Sequence, residues 1–156
     1  MNTKLSAILL AGLGLASQIP SYACTGITLK SKDGATIAAR TIEWAESVMN
    51  TMYVVVPRNE ELQSFTPSGI DGVMFKAKHG YVGLAVEQKE FMVEGINEKG
   101  LSAGLFYFPN YGKYESYEAS LKDKCLADFQ VVSYVLAECS TTDEVKEALS
   151  KVRIIN

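Results

Sequence analysis

The order of two hydrophobic patterns along this chain limits its fold more than any other feature. Residues 25–108 consist of short segments with strand-like alternation or β-branched runs, separated by turn signals. Beyond residue 125 the apolar positions recur at helical spacing, and Thr141 with Glu144 forms a capping-box pattern that opens a further helix. Strands followed by helices predict an α+β layered domain rather than alternating βαβ units.

The individual elements are predicted from the same patterns and from turn residues. Strands are predicted over residues 25–30, 35–44, 51–56, 73–78, 80–86, 90–94 and 101–108, and helices over residues 125–138 and 143–152. Residues 58–71 are polar and contain Pro67, Ser68 and Gly69, which predicts a long surface loop. The segment 101–108 is apolar on both faces, so we expect it to be buried between two layers.

The first 23 residues have the pattern of a cleavable export signal. Lys4 gives a positive start, residues 5–15 are apolar, and Ser21 and Ala23 provide the small residues that signal peptidase requires. The apolar stretch is too short to serve as a membrane anchor. We therefore predict a periplasmic or secreted protein without stable membrane insertion, with one mature domain over residues 24–156.

A mature chain that begins at Cys24 carries a thiol and a free α-amine on the same residue. An α-amine has a near-neutral pKa and can act as the base for an adjacent nucleophile. Cys24 is therefore the candidate catalytic residue. An alternative is lipid attachment to Cys24 in a lipoprotein, but Ser21 and the bulky Tyr22 fit ordinary cleavage better.

Charge argues against one class of partner. The chain has 15 basic and 18 acidic residues, and the signal contains only one of the basic ones, so the mature net charge is −4. A nucleic-acid-binding domain normally shows a basic patch, so no nucleic-acid partner is predicted. His79 is the only histidine in the sequence and is predicted to be a loop residue rather than a metal ligand.

Cys125 and Cys139 are the two other cysteines. They lie at the two ends of the helix predicted over residues 125–138, which would separate them by about 21 Å. That distance is far beyond what a disulfide bond allows. Both are expected to be separate, half-buried core residues, unless the helix is broken.

A hairpin is predicted to bring charged side chains to Cys24. With a two-residue Asp33-Gly34 turn, Cys24 lies directly across from Glu43. Arg40 is three residues from Glu43 and should point to the opposite face, so a bulge or a different turn register is needed for both to reach Cys24. Spacing alone favours solvated or locally paired edge charges for Arg40 and Glu43.

Three groups of residues together carry a family resemblance. They are Cys24-Thr25-Gly26, Arg40-Thr41-Ile42-Glu43-Trp44, and Gly95-Ile96-Asn97-Glu98-Lys99-Gly100-Leu101 with the following Gly104-Leu105-Phe106-Tyr107-Phe108-Pro109. In this order and spacing they resemble the choloylglycine hydrolase family, which contains bile salt hydrolases and penicillin V acylases. The resemblance implies the N-terminal half of a four-layer αββα N-terminal-nucleophile hydrolase fold, with antiparallel sheets and helices packed outside.

The resemblance also implies roles for individual residues. Cys24 would be the nucleophile, its α-amine the base, and Arg40 the active-site arginine. Glu43 stands where the family usually has Asp near that amine, and it keeps the charge with one more methylene. Tyr107 occupies a position that is typically Asn in bile salt hydrolases and Tyr in many penicillin V acylases, so it is a candidate for substrate binding. Trp44 would either line the acyl pocket or fill the core, and a core position is likewise the alternative for Tyr107.

The implied reaction is hydrolysis of a linear amide through a thioester, with a small-molecule substrate and no cofactor or metal. Penicillin V acylase-like activity is favoured, and bile salt hydrolase or acyl-homoserine lactone acylase activity is the alternative. Family members are roughly twice as long, with further active-site groups beyond Asn156, so a C-terminally truncated chain is expected. An inactive fragment or a lipid-anchored envelope protein stays a second alternative, and the family suggests a homo-oligomer, a tetramer.

Overall fold

The computed structural model describes residues 24–43, 48–107 and 112–156. These residues form an α+β structure in which most strands precede the helices, as the sequence predicts. The strands are β1 (Gly26–Lys30), β2 (Thr36–Arg40), β3 (Thr51–Val56), β4 (Glu61–Gln63), β5 (Met74–Lys76), β6 (Tyr81–Val86), β7 (Met92–Asn97), β8 (Ser102–Gly104), β9 (Cys125–Ala127) and β10 (Arg153–Ile155). The α-helices are α1 (Val131–Glu138) and α2 (Thr142–Leu149).

The largest sheet is antiparallel and has the order β3-β6-β7-β8. Helix α1 packs on one of its faces, where Tyr81, Met92 and Leu136 are buried together. The approach is close, since a Cβ at Gly95 would lie 2.7 Å from a methyl carbon of Leu136. Glycine at position 95 therefore lets the helix lie directly on β7.

Asn97 joins the end of β7 to the end of α1. Its Nδ2 donates to the carbonyl oxygens of Leu136 at 3.0 Å and Cys139 at 2.7 Å. Its Oδ1 accepts from the backbone N–H groups of Lys99 at 3.0 Å and Leu101 at 3.1 Å. Asn97 is 4% exposed, so one buried amide satisfies both a predicted turn and carbonyls at the helix C-terminus that have no partner within the helix.

The opposite face of this sheet is apolar and exposed. Tyr53 is 86% and Val55 74% exposed, and Val82 and Ile96 extend the same face across β6 and β7. The expectation that residues 101–108 are buried on both sides is wrong for the described part, because β8 is an edge strand and Phe106 is exposed. Within the described ranges, helix packing covers one face only.

The predicted loop over residues 58–71 contains a strand. β4 pairs antiparallel with β5, and the pair Leu62 and Phe75 places an apolar side chain in the core. This three-residue strand could not be recognised from the polar composition of the segment. Its position depends on the burial of Phe75 in the core rather than on a local pattern. The prediction of an uninterrupted loop is therefore wrong.

The predicted helix over residues 125–138 begins only at Val131. Its first residues form β9, which pairs in parallel with β10, the strand that follows α2. Cys125 and Cys139 are free and buried, at 0% and 1% exposure. Helix α2 begins one residue before its predicted start and ends at Leu149 rather than at Val152. The predicted cap is confirmed, because the Thr141 hydroxyl accepts from the backbone N–H of Glu144.

Candidate active site

The β1–β2 hairpin has a different register from the predicted one. Gly26 pairs with Arg40, and the Ser31 N–H donates to the Ala35 carbonyl at 2.9 Å. The loop therefore has three residues, 32–34, rather than two. Gly34 has a φ of 89°, the left-handed conformation that closes a three-residue hairpin loop.

This one-residue shift changes which side chains share a face. The pairing continues past β1, because the Thr41 N–H donates to the Thr25 carbonyl at 2.9 Å. Residues directly across from one another point to the same side, and alternate residues do so too. Arg40 therefore shares a face with Gly26 and Cys24. On a regular strand the same shift moves Glu43 to the other face, so the register alone does not bring both charged side chains to Cys24.

Cys24 is half-buried and lies beside Glu43, although the two are not directly paired. Its Sγ is 3.8 Å from the backbone carbonyl oxygen of Glu43, a weak S–H···O contact. The predicted Cys24–Glu43 pairing is wrong by one residue, because the loop holds one residue more than predicted. The end of the hairpin still brings the two residues together.

Arg40 is a buried connection between the hairpin and the large sheet. Its side chain is 6% exposed, so the interpretation as a solvated edge charge is wrong. Nη1 donates to the carbonyl oxygen of Val93 at 3.0 Å and also to that of Leu105. Nε donates to the Thr41 carbonyl at 3.2 Å and lies 3.9 Å from the Glu94 carboxylate.

Phe106 completes the surroundings of Arg40, a contact that sequence reasoning missed. The guanidinium carbon lies 4.5 Å from the centre of the Phe106 ring, a cation–π arrangement. The same ring packs on the hairpin, since a Cβ at Gly26 would be 2.8 Å from it. Glycine in the Cys-Thr-Gly motif thus admits an aromatic ring next to Arg40, and a glycine two residues after Cys24 was the available signal.

The contacts of Thr41 were not predicted from the sequence either. Its Oγ1 accepts from the Thr25 N–H at 3.0 Å and lies 3.1 Å from Oε1 of Glu43. Thr41 and Glu43 are two residues apart on an extended segment, a spacing that puts side chains on one face. That spacing was the signal in the sequence.

Of the two predicted substrate-binding residues, the structure describes Tyr107 but not Trp44. Tyr107 directly follows Phe106 and is 61% exposed, so the alternative of a core tyrosine is wrong. Its neighbour Tyr114 has a pKa raised by burial, with Asp128 and Tyr107 contributing in the same direction. Trp44 lies outside the described residues.

Other features of the described residues do not converge on Cys24. A cavity of about 320 Å³ is lined by Val54, Tyr81, Met92 and other residues, but Cys24, Arg40, Glu43 and Tyr107 are not among them.

Across residues 24–43, 48–107 and 112–156, no cluster of three His, Cys, Asp or Glu side chains could hold a metal ion. His79 is hydrogen-bonded through Nε2 to Ser140 Oγ at 2.9 Å. No helix in these ranges is long and apolar enough to span a membrane.

Known proteins resemble this chain in sequence over most of its length. The bile salt hydrolase/transferase of Clostridium perfringens is 29% identical over 133 residues, covering 85% of this chain and 39% of that protein. The bile salt hydrolase/transferase of Lactiplantibacillus plantarum is 26% identical over 137 residues, with coverage of 85% and 39%. The chain thus spans about two fifths of the length of the curated relatives it matches.

The fold is similar to a solved structure as well. A crystal structure of a mutant conjugated bile acid hydrolase from Clostridium perfringens matches with a TM-score of 0.68 and 28% identity, covering 86% of this chain and 39% of that one. This similarity confirms the predicted N-terminal-nucleophile hydrolase fold. A family model described as linear amide C–N hydrolases, choloylglycine hydrolase family, matches residues 24–156. The chain therefore belongs to the choloylglycine hydrolase family.

Proposed function

We propose that this protein hydrolyses linear amide C–N bonds, with Cys24 as the nucleophile after an export signal is removed in the periplasm or on secretion. The observation that carries the proposal is the hairpin register, which puts Arg40 on the same face as Cys24 and leaves the backbone carbonyl oxygen of Glu43 3.8 Å from the thiol sulfur. Family membership over residues 24–156 supports the reaction class.

In this proposal the α-amine of mature Cys24 accepts the thiol proton, and the sulfur attacks the amide carbonyl carbon. A C–S bond forms, the oxyanion collapses, and the C–N bond breaks as the leaving amine takes the proton. Water, deprotonated by the α-amine, then attacks the thioester and releases the acid with the thiol restored. Arg40 supplies a positive charge on the same face as Cys24.

Tyr107 supports a substrate of the penicillin V type. Its ring is exposed at the end of the segment whose Leu105 carbonyl and Phe106 ring are held by Arg40. An exposed aromatic ring offers a stacking surface to an aryl or acyl group. A bile salt is the second candidate, favoured by the relatives named bile salt hydrolase/transferase.

The nucleophile is tested by amide hydrolysis with purified mature protein. Penicillin V, a glycine-conjugated bile salt and an acyl-homoserine lactone are compared, and the intact mass establishes an unmodified N-terminal Cys24. We expect Cys24→Ala to abolish hydrolysis, whereas Cys125→Ala, which removes a buried thiol, keeps it. Hydrolysis that survives Cys24→Ala, or a diacylglyceryl mass increment, would reject the proposal.

Substrate preference is tested by Tyr107→Asn. If Tyr107 stacks against an aryl or acyl group, the variant loses kcat/KM for penicillin V relative to the bile salt. Tyr53→Asn is the matched control, because Tyr53 is also an exposed tyrosine and lies on β3, at the other edge of the sheet from β8, so it should leave the ratio unchanged. An unaltered ratio in Tyr107→Asn would favour the bile salt candidate.

A further inference from the structure

Thr41 is hydrogen-bonded to the neighbour of Cys24 and to each of the two charged candidate residues. Its N–H donates to the Thr25 carbonyl at 2.9 Å, and its carbonyl accepts from Arg40 Nε at 3.2 Å. Its hydroxyl oxygen lies 3.0 Å from the Thr25 nitrogen and 3.1 Å from Glu43 Oε1. All three polar groups of one residue are thus engaged around the proposed nucleophile.

The direction of the hydroxyl bonds is determined by chemistry. The Thr25 N–H can only donate, so Thr41 Oγ1 accepts from it. An ionised carboxylate can only accept, so the single hydroxyl proton of Thr41 is directed at Glu43. The hydroxyl therefore links the Thr25 backbone, next to Cys24, to the Glu43 carboxylate and fixes the orientation of that carboxylate.

We propose that Thr41 is a positioning residue for the reaction, whose hydroxyl holds the Glu43 carboxylate towards the α-amine of mature Cys24. The inference rests on the proposed function of Cys24. A glutamate has one more rotatable bond than an aspartate, and a longer side chain has more orientations to lose. The bond from Thr41 selects one of them, which compensates for the additional methylene of Glu43.

The test compares Thr41→Val with Thr41→Ser in the mature, full-length chain. Valine keeps the branched shape but removes the hydroxyl, whereas serine retains the hydroxyl. We expect Thr41→Val to lower kcat by about 10- to 100-fold with little change in KM, because a misplaced catalytic group costs rate rather than binding. Thr41→Ser should recover most of the rate. The control is Thr36→Val, an exposed threonine at the other end of β2.

A second readout does not depend on turnover. Cys125 and Cys139 are buried, so iodoacetamide should react with Cys24 in the folded protein. The reaction rate of a thiol depends on the charged groups that are held around it. Thr41→Val should therefore slow alkylation at neutral pH, on the order of threefold, and Thr41→Ser should restore the wild-type rate.

The possible outcomes separate the two proposals. Wild-type kcat and wild-type alkylation in Thr41→Val would overturn the role of Thr41, and loss of hydrolysis in Cys24→Ala would still support the nucleophile. If no variant turns over any amide, the proposed function fails, and the alkylation rates still decide whether Thr41 orients the site. Equal loss in Thr41→Val and Thr41→Ser would also overturn the inference, because the hydroxyl would not be the cause.

Discussion

Arg40 on β2 lies directly across from Gly26 on β1, the residue two positions after Cys24. The absence of a side chain at Gly26 leaves room for the Phe106 ring, and Arg40 lies against that ring. The arginine thereby anchors a hairpin that is otherwise exposed, since Ile27 and Leu29 are more than half exposed. Arg40 and Phe106 together fix the position of this hairpin, and with it Cys24, relative to the sheet.

Arg40→Lys should loosen the hairpin. A lysine ammonium cannot reproduce the planar set of bonds to the Val93, Leu105 and Thr41 carbonyls or the stacking on Phe106. We expect a loss of about 1–3 kcal/mol in the local stability of the hairpin, measured as faster amide hydrogen exchange in β1 and β2. Hydrolytic activity should fall with it.

The control for Arg40→Lys is Arg58→Lys. The Arg58 side chain is 63% exposed and pairs with Glu98 in solvent, so exchange in the hairpin should not change. Hairpin exchange that is equally fast in wild type and Arg40→Lys would contradict the anchoring role.

Asn97→Ala should destabilise the whole domain. The variant leaves the Leu136 and Cys139 carbonyls without their buried donor and removes the acceptor for the turn. We expect a loss of about 3 kcal/mol in the free energy of unfolding by urea. Asn97→Asp should cost more, because it places a carboxylate against two carbonyl oxygens.

Lys99→Ala is the control for Asn97, since Lys99 is an exposed residue of the same turn. It should leave the unfolding midpoint nearly unchanged. A midpoint for Asn97→Ala within the error of wild type would show that the amide does not join β7 to α1 in solution.

Ionisation of the buried Tyr81 should lower the free energy of unfolding in strong alkali. It is 4% exposed, and burial raises its pKa to about 12, against an opposing hydrogen bond from Ser133. The unfolded pKa is about 10, so the folded state keeps its proton longer. Its contribution is complete below pH 10 and is lost as the pH rises towards 12, by about 3 kcal/mol in total.

Urea unfolding of wild type and Tyr81→Phe at pH 9 and pH 11.5 isolates this contribution from the other groups that titrate in the same range. The wild type should lose more stability than Tyr81→Phe between the two pH values. Parallel losses in both proteins would contradict the burial effect at Tyr81.

Local signals in the sequence were sufficient for several elements. The β-branched run before Pro57 predicted β3 with both of its ends, and the capping pair Thr141 and Glu144 predicted where α2 begins. Each signal lies within a few residues of the element it specifies. Such elements need no information from the rest of the fold.

The register of the hairpin could not be predicted in the same way. An Asp33-Gly34 pair fits a two-residue turn, but Gly34 in the left-handed conformation also closes a three-residue loop. The two loops differ by one residue and place Arg40 on opposite faces. The sequence left open whether a bulge or a different register brings Arg40 to the face of Cys24, and the structure shows a different register.

Non-local contacts explain what else was missed. The carbonyl partners of Arg40 belong to Val93 and Leu105, 53 and 65 residues away in the chain. Strand β9 was predicted as helix because its apolar residues continue the spacing of α1, and its pairing with β10 depends on a crossover through both helices. No short-range pattern specifies either arrangement.

The most direct test of the account is the stoichiometric alkylation of Cys24 in the mature protein. Iodoacetamide is titrated into the folded protein while amide hydrolysis and the mass of the N-terminal peptide are measured on the same samples. We predict that activity falls in proportion to the modification of Cys24 and reaches zero at one equivalent, with Cys125 and Cys139 unmodified because they are buried. Full hydrolytic activity in protein whose Cys24 is completely alkylated would contradict the central claim.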